Sequence, residues 1–145
     1  MKIKDILKLK EFRDRPVVTV GNDELVSSAI KKLADNDRGA LVVCNDKEEL
    51  IGIVTERDIV RKCFTLGDDF TNKKIADVMT KQVAVAIPED DLDYAINTMK
   101  QKRIRHIPIV DDKKVLGMIS MRDILGFQHA ETKAEIRYVH LLPRR

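Results

Sequence analysis

Apolar and polar positions follow one another along this chain in a pattern that is written twice. Sliding the sequence by 66 positions lays Val17 on Val83, Val26 on Leu92, Ala29 on Ala95, Ile30 on Ile96 and Leu33 on Met99. From about Asp46 the offset falls to 65, and Gly52-Ile53-Val54-Thr55-Glu56-Arg57-Asp58-Ile59 then matches Gly117-Met118-Ile119-Ser120-Met121-Arg122-Asp123-Ile124. The extra residue of the first copy falls where Asn45-Asp46-Lys47-Glu48-Glu49 faces Asp111-Asp112-Lys113-Lys114. Charged stretches of that length between apolar runs are turns, and turns absorb insertions. A weaker echo, Ile3-Lys4-Asp5-Ile6-Leu7 against Ile75-Ala76-Asp77-Val78-Met79, predicts a short helical turn at the start of each unit. Two half-units that cannot each close a core alone pack together.

Within each copy the rhythm changes from element to element. Val26, Ala29, Ile30 and Leu33 fall at i, i+3, i+4 and i+7, as do Leu92, Ala95, Ile96 and Met99, so each copy contains an amphipathic helix with one buried stripe. Asn22-Asp23 and Pro88-Glu89-Asp90-Asp91 supply start signals for these helices. The runs Ala40–Cys44 and Ile107–Val110 are short, apolar and β-branched and read as buried strands, each followed by a turn and a paired strand through Leu50–Val54 or Leu116–Ile119. A second helix starts at Thr55 or Ser120, and Val17-Val18-Thr19 and Val83-Ala84-Val85 are the leading strands. The expected order is strand, helix, strand, strand, helix, an α/β (α+β) layer made twice. The first copy with its lead-in spans residues 1–66, the second residues 72–128, and residues 129–145 form a C-terminal helix and tail.

Composition narrows the class. A chain of 145 residues buries enough surface for one shared core without a disulfide staple. Its two cysteines, Cys44 in an apolar run and Cys63 after a helical segment, lack metal-ligand spacing and read as reduced thiols. No apolar run approaches membrane-spanning length, and Met1-Lys2-Ile3-Lys4-Asp5 does not open a signal peptide, so the cytoplasm is the expected location. Basic and acidic residues, 27 against 24, are interspersed, and the chain has no Trp; a nucleic-acid module would carry a basic stripe with stacking aromatics.

The repeated motif, Gly-x-x-Thr-x-x-Asp in one copy and Gly-x-x-Ser-x-x-Asp in the other, runs from a strand directly into a helix. Thr55 with Asp58, and Ser120 with Asp123, fit a variant of the capping box, which serves folding alone. The same atoms suit a nucleotide. A helix start offers free N–H donors to phosphate, and an ionised carboxylate accepts both hydroxyls of a vicinal diol such as ribose. Gly52 and Gly117 would let backbone approach a flat ligand, and the strands offer an apolar slot for a purine.

Together, these two motifs, the Ile75-Ala76-Asp77-Val78-Met79-Thr80 lead-in and the Arg105-His106-Ile107-Pro108-Ile109-Val110-Asp111 strand make the chain resemble a tandem pair of CBS (cystathionine-beta-synthase) domains, a Bateman module of the stand-alone type. The resemblance covers roughly Met1 to Leu125. It implies two β-α-β-β-α units related by a pseudo-twofold, with clefts between them for adenosine-containing ligands: AMP, ADP, ATP, NAD or S-adenosylmethionine, AMP foremost. No cofactor or metal is required by it. Carried over by position, it makes Asp58 and Asp123 ribose ligands and Thr55 and Ser120 hydroxyls that meet phosphate or ribose, with Arg57 and Arg122 in the same helix starts. Arg105, His106, Ile107 and Pro108 would contribute from the strand of the second copy. The first copy has Gly39, Ala40, Leu41 and Val42 there, so the tighter site is expected around Ser120, Arg122 and Asp123. Thr19, Ala40, Leu41, Ala84 and Val85 are expected to line the clefts.

After Leu125, Phe127, Ile136, Val139 and Leu142 suggest a further amphipathic helix, and the family resemblance implies a homodimer. The leading expectation is a non-enzymatic sensor that regulates a protein partner. Two alternatives compete with it: a scaffold whose clefts stay empty, and a nucleotide hydrolase, against which stands the lack of a metal-ligand cluster or a matched Cys and His.

Overall fold

Chain direction reverses on the schedule that the periodicity set. In the computed structural model, which describes residues 1–128 and 134–141, two short helices come first, α1 (Ile3–Leu7) and α2 (Lys10–Arg13). The first copy then runs β1 (Thr19–Gly21), α3 (Val26–Asp35), β2 (Ala40–Cys44), β3 (Leu50–Thr55) and α4 (Glu56–Leu66). A single 3-10 turn at Phe70–Asn72 and α5 (Ile75–Val78) lead to α6 (Leu92–Lys102), β4 (His106–Asp111), β5 (Lys114–Ser120) and α7 (Met121–Gln128). β1 lies parallel to β2, with Val20 opposite Val43, and β2 pairs antiparallel with β3, with Val42 opposite Ile53. β4 and β5 repeat that hairpin, with Ile107 opposite Ile119.

The second copy departs from expectation at its leading strand. Val83-Ala84-Val85 does not pair; one parallel bridge, Ala86 to Ile109, stands where β1 stands in the first copy. Ala86 N–H donates to the Pro108 carbonyl, and Val110 N–H donates to the Ala86 carbonyl, both at 2.9 Å. Extending this ladder in one direction requires an N–H at residue 88 and in the other an N–H at residue 108. Both are prolines, which have none to give.

The helical lead-ins fold as predicted but pack on the opposite copy. Ile3, Ile6 and Phe12 enter the core of the second copy, with Leu92, Ala95, Met99, Ile107 and Ile119. Ile75 and Val78 enter the core of the first, with Val26, Ala29, Leu41 and Val54. The exchange also starts the long helices. Neither α3 nor α6 has a side-chain cap at its N-terminus. Instead Val26 N–H donates to the Lys73 carbonyl and Leu92 N–H to the Met1 carbonyl, each at 2.8 Å. The predicted caps, Asn22-Asp23 and the residues ahead of Leu92, are displaced because backbone from the other copy already meets the orphan donors.

The glycines of the repeated motif face these same lead-ins. A Cβ on Gly52 would lie 2.5 Å from Met79 Sδ and 3.1 Å from the Thr80 carbonyl oxygen, and one on Gly117 would lie 3.2 Å from Leu7 Cδ2. At Gly52 the close approach is used by the protein's own chain; Gly117 lines the space between the copies beside Leu7.

The further helix expected near the C-terminus is absent from residues 134–141, which take no regular secondary structure. Ile136 and Val139 remain 66% and 89% exposed there. A short amphipathic segment rich in β-branched residues does not hold a helix without a surface to bury its stripe. Residues 129–133 and 142–145, including Leu142, lie outside the described residues.

Candidate functional site

The motif turns form as capping boxes in both copies. Thr55 Oγ1 accepts from Asp58 N–H at 3.1 Å while Thr55 N–H donates to Asp58 Oδ2 at 3.0 Å. Ser120 and Asp123 repeat the pair at 3.1 and 2.8 Å. Capping consumes one carboxylate oxygen toward the N-cap and leaves the other directed across the module. In the first copy that oxygen, Asp58 Oδ1, accepts from the Thr80 hydroxyl at 3.2 Å. In the second copy Asp123 receives a fork from Arg15, Nη2 to Oδ1 at 3.0 Å and Nη1 to Oδ2 at 3.2 Å.

Each carboxylate borders a cleft formed by both copies. The Asp123 cleft, about 850 Å³, places Ser120, Met121 and Arg122 opposite Pro16–Val18 and Asn36–Ala40 of the first copy. The Asp58 cleft, about 660 Å³, places Thr55, Arg57 and Arg61 opposite Gln82–Ala84 and Lys102–His106 of the second. Helix starts of one copy thus face the loop between helix and strand of the other. Arg105, His106 and Gly39 border both clefts, and a Cβ on Gly39 would lie 3.0 Å from His106 Cε1. The His106 ring therefore abuts the Gly39 backbone where the two clefts meet.

This crossing changes the electrostatics expected from sequence. The basic run Lys102-Arg103-Ile104-Arg105 faces Thr55 and Asp58, not only the Ser120 motif, so the Asp58 cleft carries Arg57, Arg61, Lys102, Arg103 and Arg105. Arg57 reaches over to donate to the Arg103 carbonyl at 2.9 Å. Arg103 ends α6 in the left-handed conformation, φ 54°, which turns the chain sharply into the cleft wall. The asymmetry argued from Gly39 and Ala40 thus loses its basis: the cationic strand start serves both clefts and its neighbours favour the other one.

Burial works against ionisation of Asp123, but hydrogen bonds from Arg15 and Ser120 outweigh it and hold the carboxyl below its usual range. Burial pushes the His106 ring the other way, toward the neutral form; the charges of Asp123 and Glu56 oppose that and Arg105 adds to it. Cys44, half-buried at the end of β2, is pushed up by burial and then by Glu48, which disfavours its thiolate. Among the described residues no group of three or more His, Cys, Asp or Glu side chains converges as a metal site.

Of the sequence-predicted residues, the Asp123 cleft gathers Ala40, Arg105, His106, Ser120, Arg122 and Asp123. The Asp58 cleft gathers Thr55, Arg57, Asp58, Ala84, Arg105 and His106. Thr19, Leu41, Val85, Ile107 and Pro108 line neither. Leu41 and Ile107 are fully buried core residues, because alternation along their strands turns them toward the helices. Sequence reasoning missed Arg15, Arg38, Thr80, Gln82, Lys102 and Arg103. The basic run before β4 was a readable signal for the last two; nothing in the sequence links Arg15 to Asp123, 108 positions away.

Comparison with known proteins agrees with this architecture. The CBS domain family model matches residues 9–64 and again 75–130. The CBS domain-containing protein CBSX3, mitochondrial, of Arabidopsis thaliana is 34% identical over 140 residues, covering 93% of this chain and 68% of that protein. The structure of a protein with CBS domains from Burkholderia ambifaria superposes with a TM-score of 0.82 at 32% identity, covering 94% of this chain and all of that one. A CBS domain pair crystallised with 5′-methylthioadenosine and S-adenosyl-L-methionine matches with a TM-score of 0.76 at 26% identity, over 88% of this chain and 95% of the other. With both copies matched and the clefts lying between them, the chain belongs to the CBS domain family as a tandem pair.

Proposed function

We propose that this pair is a non-enzymatic regulatory module that binds a phosphorylated adenosine ligand, AMP foremost with ATP or NAD as alternatives, and binds it first in the Asp58 cleft. The observation that carries this reading is the placement of Asp58 Oδ1, which among the described residues accepts a hydrogen bond from the Thr80 hydroxyl alone, in a cleft carrying five cationic side chains. A ribose diol can replace a hydroxyl contact at little cost, and the cations together with the start of α4 suit phosphate. Both clefts fall in the size range of small-molecule sites. That a related CBS pair holds S-adenosyl-L-methionine supports the adenosine class. Regulation requires that the ligand bind one arrangement of the two copies better than another, and clefts walled by both copies provide for that.

Calorimetric titration of the nucleotide-free protein with AMP, ATP, NAD and S-adenosylmethionine tests the reading, with Asp58→Ala and Asp123→Ala alongside. Saturable binding weakened tenfold or more by Asp58→Ala supports it; binding indifferent to both carboxylates refutes it. One observation favours a scaffold instead: both motif carboxylates already serve as caps. In that case none of the four ligands binds.

We further propose a homodimer formed through α4 and α7. No residue of α4 is buried, and Val60 and Phe64, one turn apart, are 72% and 92% exposed. Leu125, which the repeat aligns with Val60, is 51% exposed on α7. The free thiols, Cys63 exposed, suit a reducing compartment, and among the described residues no helix is long and apolar enough to cross a membrane. A regulated protein partner would sit against the same module.

A further inference from the structure

The Asp123 cleft contains a cation that its own carboxylate already holds. Arg15 lies in the segment before β1, and its guanidinium meets both oxygens of Asp123 at 3.0 and 3.2 Å. The two side chains are only 26% and 14% exposed. The carbon of that guanidinium also sits 4.2 Å from the centroid of the Phe12 ring, and Phe12 is anchored against Phe127 with ring centroids 5.6 Å apart. Arg15 is thus held at two points, by a ring that is part of the core and by a carboxylate that faces the cleft.

A ligand that used Asp123 for its ribose would have to take the place of Arg15. Removing one partner from a shielded, bidentate pair leaves the other without compensation, which is costly. A neutral adenosine offers the displaced guanidinium no negative charge in place of Asp123, and a sulfonium repels it. A phosphate offers a fork acceptor of the same kind as the one lost. The stacking on Phe12 sets a pivot, so the guanidinium can turn from carboxylate to phosphate without leaving the ring.

We propose that Arg15 is the specificity-determining residue of the Asp123 cleft: it closes the cleft to uncharged and cationic adenosine compounds and is handed from Asp123 to the phosphate of an anionic one. The inference rests on reading Asp123 as a ribose ligand. It adds a selection rule that the Asp58 cleft, whose carboxylate meets a hydroxyl at the corresponding place, does not have.

The test titrates AMP and adenosine into Asp58→Asn protein, which reports the Asp123 cleft, with and without Arg15→Gln. The ratio of AMP to adenosine affinity should fall tenfold or more on Arg15→Gln, through weaker AMP binding and stronger adenosine binding. Arg15→Lys, which keeps the charge but cannot span both oxygens, should fold as the parent and give a ratio between the two. An unchanged ratio with AMP still bound overturns the role of Arg15 and leaves the nucleotide reading standing. If neither compound binds even the wild type, the adenosine reading fails, and Arg15 is judged by its side-chain Nε–Hε resonance under titration with pyrophosphate. A saturable shift of that resonance upholds the hand-over to an anion; a resonance that does not move overturns it.

Discussion

His106 and Asp123 border the same cleft, and their surroundings give them opposite relations to acid. The ring of His106 is held toward its neutral form, below its ordinary value near 6.5, so the unfolded chain takes up a proton there before the folded one does. Stability should therefore fall as pH drops through that ordinary value, and His106→Gln should flatten urea-denaturation stability between about pH 7 and pH 5. Asp123, held below its ordinary 3.8, adds stability that is complete above that value and is lost as pH falls through the lower folded one. Asp123→Asn should flatten the acid end of the curve and, by removing a charge that favours the His106 imidazolium, steepen the fall between neutrality and mild acid. Gly52 is constrained by contact, not charge: alanine there would meet Met79 Sδ and the Thr80 carbonyl, so Gly52→Ala should cost about 1–3 kcal/mol by the same denaturation measurement. At this scale the sequence carried the motif residues, since Thr55, Asp58, Ser120 and Asp123 recur at matching places and a repeated hydroxyl–carboxylate pair has few uses. It did not carry their partners. Thr80 and Arg15 reach the carboxylates through space, and single occurrences leave no pattern to read.

At the scale of elements, the amphipathic stripes and β-branched runs placed α3, α6 and both hairpins, because burial of one face dictates a period. What decided the exceptions lay outside each element. The second leading strand was lost to two prolines in a ladder that only the pairing identifies, and the expected helix caps were supplanted by carbonyls at Lys73 and Met1. α4 is different, for its cap is its own: Thr55→Ala should destabilise the protein by about 1 kcal/mol, with the lost far-UV helix signal of thermal melts as the check. The lead-ins contribute more through burial than through hydrogen bonding. Ile6 is fully buried in the core of the second copy, and Ile6→Ala should cost about 2–5 kcal/mol in denaturant titrations although it sits in the first ten residues.

For the whole molecule, an apolar face on α4 that none of the described residues covers has a measurable consequence. Phe64→Glu should shift sedimentation from dimer to monomer while leaving circular dichroism unchanged, whereas an unaltered mass would place any dimer elsewhere. The twofold pattern of the sequence announced two halves that close a core together but gave no sign that their lead-ins are exchanged, since packing partners are not ordered by position. That exchange makes the covalent link between the halves less important than it looks. Cut at Gly67, whose positive φ of 77° marks the end of α4, the chain would yield one piece ending there and one beginning at Asp68. Each piece would own the staple that closes its neighbour and lack its own. Neither should fold alone, and an equimolar mixture should recover the native spectrum as a two-chain complex, a reconstitution that needs no peptide bond between the copies.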